Sequence, residues 1–273
     1  MITDDAALMF SSLAPLSSER HRAKRLRPVR SWAFAARQAI VPIVGSEVAR
    51  AATEFPLGFV ANGTEFTLVA VLGFEPNRNL FVSPTGQWIA SYVPAAIRSY
   101  PFAQGRSPDG ASSFLCVDEA SDLLADAEGE PLFTPEGGPG QPVERALLLL
   151  QEIERVSVLQ RRLCALLAGH GLIVPWELSV SDQGRSRRVE GLFRIDEERL
   201  HALPDPAFLE LRKSGVLTLV YAQLLSMGRI VQLQELVKLQ ARLAPPSSSP
   251  SSSPSSSADE ASDYSNATFN FNF

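Results

Sequence analysis

Leu57-Gly58-Phe59-Val60-Ala61-Asn62-Gly63-Thr64-Glu65-Phe66-Thr67-Leu68-Val69-Ala70-Val71-Leu72-Gly73-Phe74 holds two apolar, strand-favouring runs, one on each side of Asn62-Gly63. Asn-Gly tolerates the positive φ that a type I′ turn needs, so the stretch predicts a hairpin joining 57–61 to 65–74. Pro84-Thr85-Gly86 is a second turn signal, placed ahead of the aromatic segment 87–92. Upstream, Ser46 is positioned to cap a short helix running through Thr53, with Glu47 near its positive end. Short turns rather than helical crossovers link these strands, so an antiparallel sheet is expected.

Beyond this strand-rich half, Ala146, Leu149, Leu150, Ile153, Val156, Leu163, Leu166 and Leu167 recur at helical spacing and predict one long helix over 142–168. Gly169 and Gly171 supply its stop. Trp176, Leu178 and Val180 alternate up to a turn at Asp182-Gln183-Gly184, and Val189, Gly191, Phe193 and Ile195 alternate after it, so a second hairpin is expected. Asp196 opens a helical run to Leu203, and 215–243 closes the fold with one or two helices. The expected fold class is α+β, a mostly antiparallel sheet packed with a long central helix and C-terminal helices.

Residues 245–257 are serine and proline only and offer no apolar side chain to bury. The division read from the chain is a flexible leader over 1–18, a folded domain over 19–243 and a disordered, dispensable tail over 244–273. Phe269, Phe271 and Phe273 alternate with asparagines at the end, which also suits a peptide that adds to a sheet edge. Asp4 and Asp5 stand where a secretory signal carries basic residues. The apolar stretch 214–228 is shorter than the roughly 20 residues of a membrane span and contains Gln223 and Ser226, so a buried core helix is expected. The chain thus reads as soluble and cytoplasmic, with no membrane span.

The chain has 273 residues, 45% hydrophobic and 20% charged, with a formal net charge of −5, which provides no global attraction for nucleic acid. Arg20, Arg22, Lys24, Arg25, Arg27 and Arg30 do form a dense basic run. The chain also holds an acidic stretch over 118–136 without a basic residue, and the two are expected to pair or sit near each other, or the run to form a solvated edge. The basic run lacks stacking aromatics, so no nucleic-acid partner is expected. Cys116 and Cys164 lie far apart and read as buried thiols.

A resemblance emerges from Leu72-Gly73-Phe74, Asn79-Leu80-Phe81, Trp88, Tyr92-Val93-Pro94-Ala95-Ala96-Ile97-Arg98 and Tyr100-Pro101-Phe102, an ordered series that resembles the SapC family. His21, Phe34-Ala35, Glu47, Phe55-Pro56-Leu57, Gly129-Glu130-Pro131-Leu132-Phe133, Pro175-Trp176, Gly191-Leu192-Phe193, Ile195-Asp196, Leu217 and Tyr221 extend it over about 20–240. Ser99 departs from it, because many relatives carry a second arginine there, and so does the serine-proline tail. The resemblance implies a bacterial protein, linked to surface-layer genes or encoded beside halogenase-like proteins, cupin-like proteins and TonB-dependent receptors. It does not extend to the antimicrobial-peptide permease of the same name. It implies an accessory protein whose partner is another protein encoded nearby or a small-molecule ligand. The alternative is an enzyme without a motif, acting on a peptide, sugar or aromatic small molecule.

No nucleophile elbow, phosphate loop or dinucleotide fingerprint occurs, and Gly137-Gly138-Pro139-Gly140 reads as a flexible approach to the long helix. His21, His170 and His201 stand alone at ligand spacing, so no metal and no cofactor are expected. Asp118-Glu119 and Glu197-Glu198 are adjacent carboxylates expected to point apart and stay solvated. The candidate binding residues are Asn79, Trp88, Tyr92, Arg98 and Tyr100. The aromatics bring broad apolar faces with polar handles, and the arginine a planar donor fork for a carboxylate or phosphate.

Overall fold

The computed structural model describes residues 9–107, 112–182, 185–243 and 267–268. The hairpin around Asn62-Gly63 forms the middle of a five-stranded sheet, with strands in the order Ile173–Pro175, Leu192–Ile195, Leu57–Asn62, Glu65–Val71, Ile40–Pro42 and every pairing antiparallel. Asn62 pairs with Glu65, so the loop is Gly63-Thr64, and only Gly63 takes positive φ (58°). A type I′ turn needs positive φ at both central residues, so the turn lies one residue later than expected and is of another type.

Leu68, Val69, Ala70 and Val71 are consecutive and all fully buried, which requires cover on both faces of the sheet. The long helix Gln141–Gly169 packs on Glu65–Val71, while the closing helix Leu217–Ser226 packs on Leu57–Asn62 and Leu192–Ile195. Gln223 and Ser226 of that closing helix are fully buried. Gln223 accepts from the Ile195 N–H (3.0 Å) and donates to the Leu57 carbonyl (3.1 Å), while the Ser226 hydroxyl accepts from the Leu57 N–H (2.9 Å). The polar residues in the apolar run therefore tie helix to sheet. No single helix among the described residues is long and apolar enough to cross a membrane.

The long helix ends where expected, with Gly171 in the left-handed region (φ 66°). The second hairpin differs from the expectation. Gly191 (φ 84°) breaks its return arm into Arg185–Glu190, which pairs with Leu178–Asp182, and Leu192–Ile195, which joins the central sheet. Its expected turn residues Gln183 and Gly184 lie outside the described residues. Ser46 does not cap a helix: Gly45–Glu47 is a 3₁₀ turn leading into Val48–Ala52. An unexpected helix, Asp205–Ser214, starts behind Pro204 with Pro206 in its first turn, where proline's missing N–H costs nothing. The glycine approach to the long helix is ordered, since Thr134 accepts from and donates to Gly138 and a Cβ at Gly140 would strike the Pro131 carbonyl at 2.3 Å.

The N-terminal arm is built into the fold. Leu13–Pro15 pairs with Ser113–Asp118, which also pairs with Phe102–Arg106, and Arg25–Leu26 lies between Leu124–Ala125 and Glu130–Pro131. Residues 1–8 of the expected leader lie outside the described residues. In the tail, Ala267–Thr268 pairs in parallel with Val189 and Glu190, and the remainder of 244–273 lies outside the described residues.

Candidate functional site

The family-like stretch divides into a scaffold half and a surface half. In the first, the Asn79 side chain is buried, donating to the Ala35 carbonyl (3.0 Å) and accepting from the Phe81 N–H (2.9 Å). Gly73 sits so close to the Arg78 carbonyl that a Cβ would approach it to 1.9 Å. Asn79 therefore holds chain to chain from a buried position.

The second half carries Trp88, Tyr92 and Arg98 together. Half-buried Trp88 donates its indole N–H to the Tyr92 carbonyl (2.8 Å) and packs on Phe81, Phe55 and Trp32. The Tyr92 hydroxyl donates to buried Glu47 (2.6 Å), whose carboxylate also accepts from the Ala95 N–H (2.8 Å) and the Val44 N–H (3.1 Å). Three donors thus fix Glu47 at the start of the short helix Ala95–Arg98. Burial, then the hydrogen bond to Glu47, push the Tyr92 phenol up to about 12.

Two guanidiniums lie by the Tyr92 ring, Arg98 at 5.7 Å and Arg50 at 5.9 Å from its centroid, a cation–π geometry. Arg98 donates to the Val93 carbonyl (3.0 Å) and, at 3.4 Å, to the Tyr92 hydroxyl. Arg50 donates to the Ser91 hydroxyl (3.2 Å), which donates in turn to Glu54. Both arginines are exposed. Among the described residues neither guanidinium touches a carboxylate; each reaches one only through a hydroxyl.

Tyr100 belongs to a different group. Its ring stacks on Phe34 (centroids 4.1 Å, 14° between planes) and meets Phe10, while its hydroxyl donates to Asp118 (3.2 Å). Trp32 bridges the groups, 5.7 Å from Phe34 and 6.0 Å from Trp88. Burial is the first cause of the raised Tyr100 phenol. Asp118 is fully buried, contrary to the expectation of a solvated carboxylate, because it accepts from the N–H groups of Ser11, Ser12 and Ala120 as well. Glu119 points the other way, to Arg20 (2.7 Å) and to buried His21 (3.0 Å).

The structure therefore gathers Trp88, Tyr92 and Arg98, sends Tyr100 to an adjoining cluster and buries Asn79. Sequence reading missed Arg50, Trp32 and the anchoring of Tyr100 by Asp118. Nothing local signals Arg50, which reaches Tyr92 across 42 positions of chain only after folding.

The expected pairing of the basic run is observed. Lys24 meets Asp126, Arg27 and Arg30 share Glu128, and Arg22 and Arg25 donate to the carbonyls of Pro135 and Gly129. Cys116 and Cys164 are both buried free thiols, and burial pushes Cys164 up to about 12.

Compared with known proteins, residues 16–233 match the family model described as SapC. No curated protein and no solved structure matches the chain.

Proposed function

The chain belongs to the SapC family, and we propose that it acts as an accessory or binding protein that holds its partner at the Tyr92 surface. The partner is another protein encoded nearby or a small molecule, and it presents a carboxylate or phosphate to Arg50 and Arg98. One observation carries this reading: two exposed guanidiniums beside one tyrosine have no carboxylate of their own among the described residues. A charged acceptor bound by a guanidinium makes a hydrogen bond about twice as strong as a neutral one, so an arriving anion outcompetes the hydroxyls now engaged. Glu47 buried beneath the phenol keeps the ring in place for this contact. The full chain and its Arg50→Ala/Arg98→Ala variant should be used to capture the products of neighbouring genes. The variant is expected to keep the parent melting temperature while capture falls roughly tenfold. Equal capture by both proteins would remove the Tyr92 surface as the contact.

A further inference from the structure

A cleft of about 350 Å³, within the size range of small-molecule sites, lies between the N-terminal arm and the acidic loop. Phe34 and Tyr100 form its aromatic wall, with Ser31, Ala33 and Ser121 beside them. The charges around it are unequally paired. Arg27 and Arg30 are both engaged by Glu128, at 3.3 Å each, so their positive charge is partly neutralised. Asp122 also lines the cleft, is exposed, and makes no hydrogen bond or ion pair among the described residues. Behind Tyr100 lies the buried Asp118 carboxylate. Asp118 already accepts from four donors and does not line the cleft, so the lining is balanced, Asp122 and Glu128 against Arg27 and Arg30, and Asp122 is its charge without a partner among the described residues.

We propose that this cleft binds a small aromatic compound carrying an ammonium group, its ring against Phe34 and Tyr100 and its cation on Asp122. The ring covers apolar wall that is otherwise wet, and aromatic pairs of this kind add to the area term. The cation gives exposed Asp122 the partner it lacks, at the mouth of the cleft beside the aromatic wall. This site uses neither Arg50 nor Arg98 and stands independently of the Tyr92 surface. Trp32, whose ring is 5.7 Å from Phe34, provides a fluorescent reporter at the wall.

The test is a fluorescence titration of the full chain with phenethylamine and, separately, with 3-phenylpropionate, an anion of the same shape. Saturable quenching by phenethylamine is expected, with phenylpropionate weaker by roughly fivefold or more. Asp122→Asn, an exposed change that leaves the fold intact, should abolish the preference for the amine. Phe34→Leu should weaken both compounds, and Arg50→Ala/Arg98→Ala should change neither. No saturation by the amine, equal affinity for the two compounds, or an unaltered preference in Asp122→Asn would overturn the proposal. Loss of capture of a neighbouring gene product in the Arg50→Ala/Arg98→Ala variant together with unchanged amine binding would separate the two surfaces.

Discussion

The basic run 20–30 and the Arg50–Tyr92–Arg98 surface show how poorly local charge density predicts available charge. In the run, six cations within eleven residues all find acceptors, four on carboxylates and two on carbonyls. At the Tyr92 surface, two arginines 48 positions apart meet at one ring, and only hydroxyls, a carbonyl and the ring receive them. A dense cationic stretch repels itself and folds best against an acidic one, which the chain supplies at 118–136. Lone arginines carry no such requirement and can be left facing outward.

The largest effect expected at this contrast comes from Glu47. Glu47→Ala leaves the Val44 and Ala95 N–H groups and the Tyr92 hydroxyl without their acceptor, and each stranded buried donor costs on the order of 1–3 kcal/mol. A loss of about 3 kcal/mol or more in urea unfolding is expected. A loss below 1 kcal/mol would mean that the Tyr92 surface is not anchored from beneath.

Tyr92 gives a smaller effect with a defined sign. Its phenol is raised from 10 to about 12, so the folded chain retains the proton that the unfolded chain releases between those values. The stability this contributes is complete below pH 10 and is lost as pH rises from 10 to 12. Arg98 lowers this value, so Arg98→Ala should move the phenol higher still in an ultraviolet titration. An unchanged phenol would show that Arg98 does not act on it, and a downward shift that it acts with the opposite sign.

The smallest effect on stability belongs to Glu128. Its contacts to Arg27 and Arg30 are exposed, so Glu128→Gln should cost under about 1 kcal/mol. It should also free two arginines in the basic run and give that run an affinity for inorganic phosphate. If phosphate still ignores the run, pairing is not what silences it.

Much of the fold was legible because its signals are local. The long helix shows in the spacing from Ala146 to Leu167, and the central hairpin in the two runs around Asn62-Gly63. The Gly191 break and the helix behind Pro204 were misjudged: a glycine inside an alternating run can end one sheet and begin another, and prolines can open a helix as well as stop one. The site was legible in part. Trp88, Tyr92 and Arg98 lie close in sequence and meet through a short turn and helix, whereas Tyr100 departs because buried Asp118, from a distant strand, claims its hydroxyl. Asn79 was chosen for its chemistry, but a buried amide between two backbone groups is a brace, and only the tertiary fold decides that.

The most direct measurement follows the arginine Nε–Hε NMR signals of the full chain as inorganic phosphate is added at low ionic strength. The Arg50 and Arg98 signals should move together and saturate, while those of Arg20, Arg27 and Arg30 stay within the shift of the salt control. Movement of the basic-run signals first, or no saturable movement at Arg50 and Arg98, would contradict the claim that the Tyr92 surface is where this chain receives an anion.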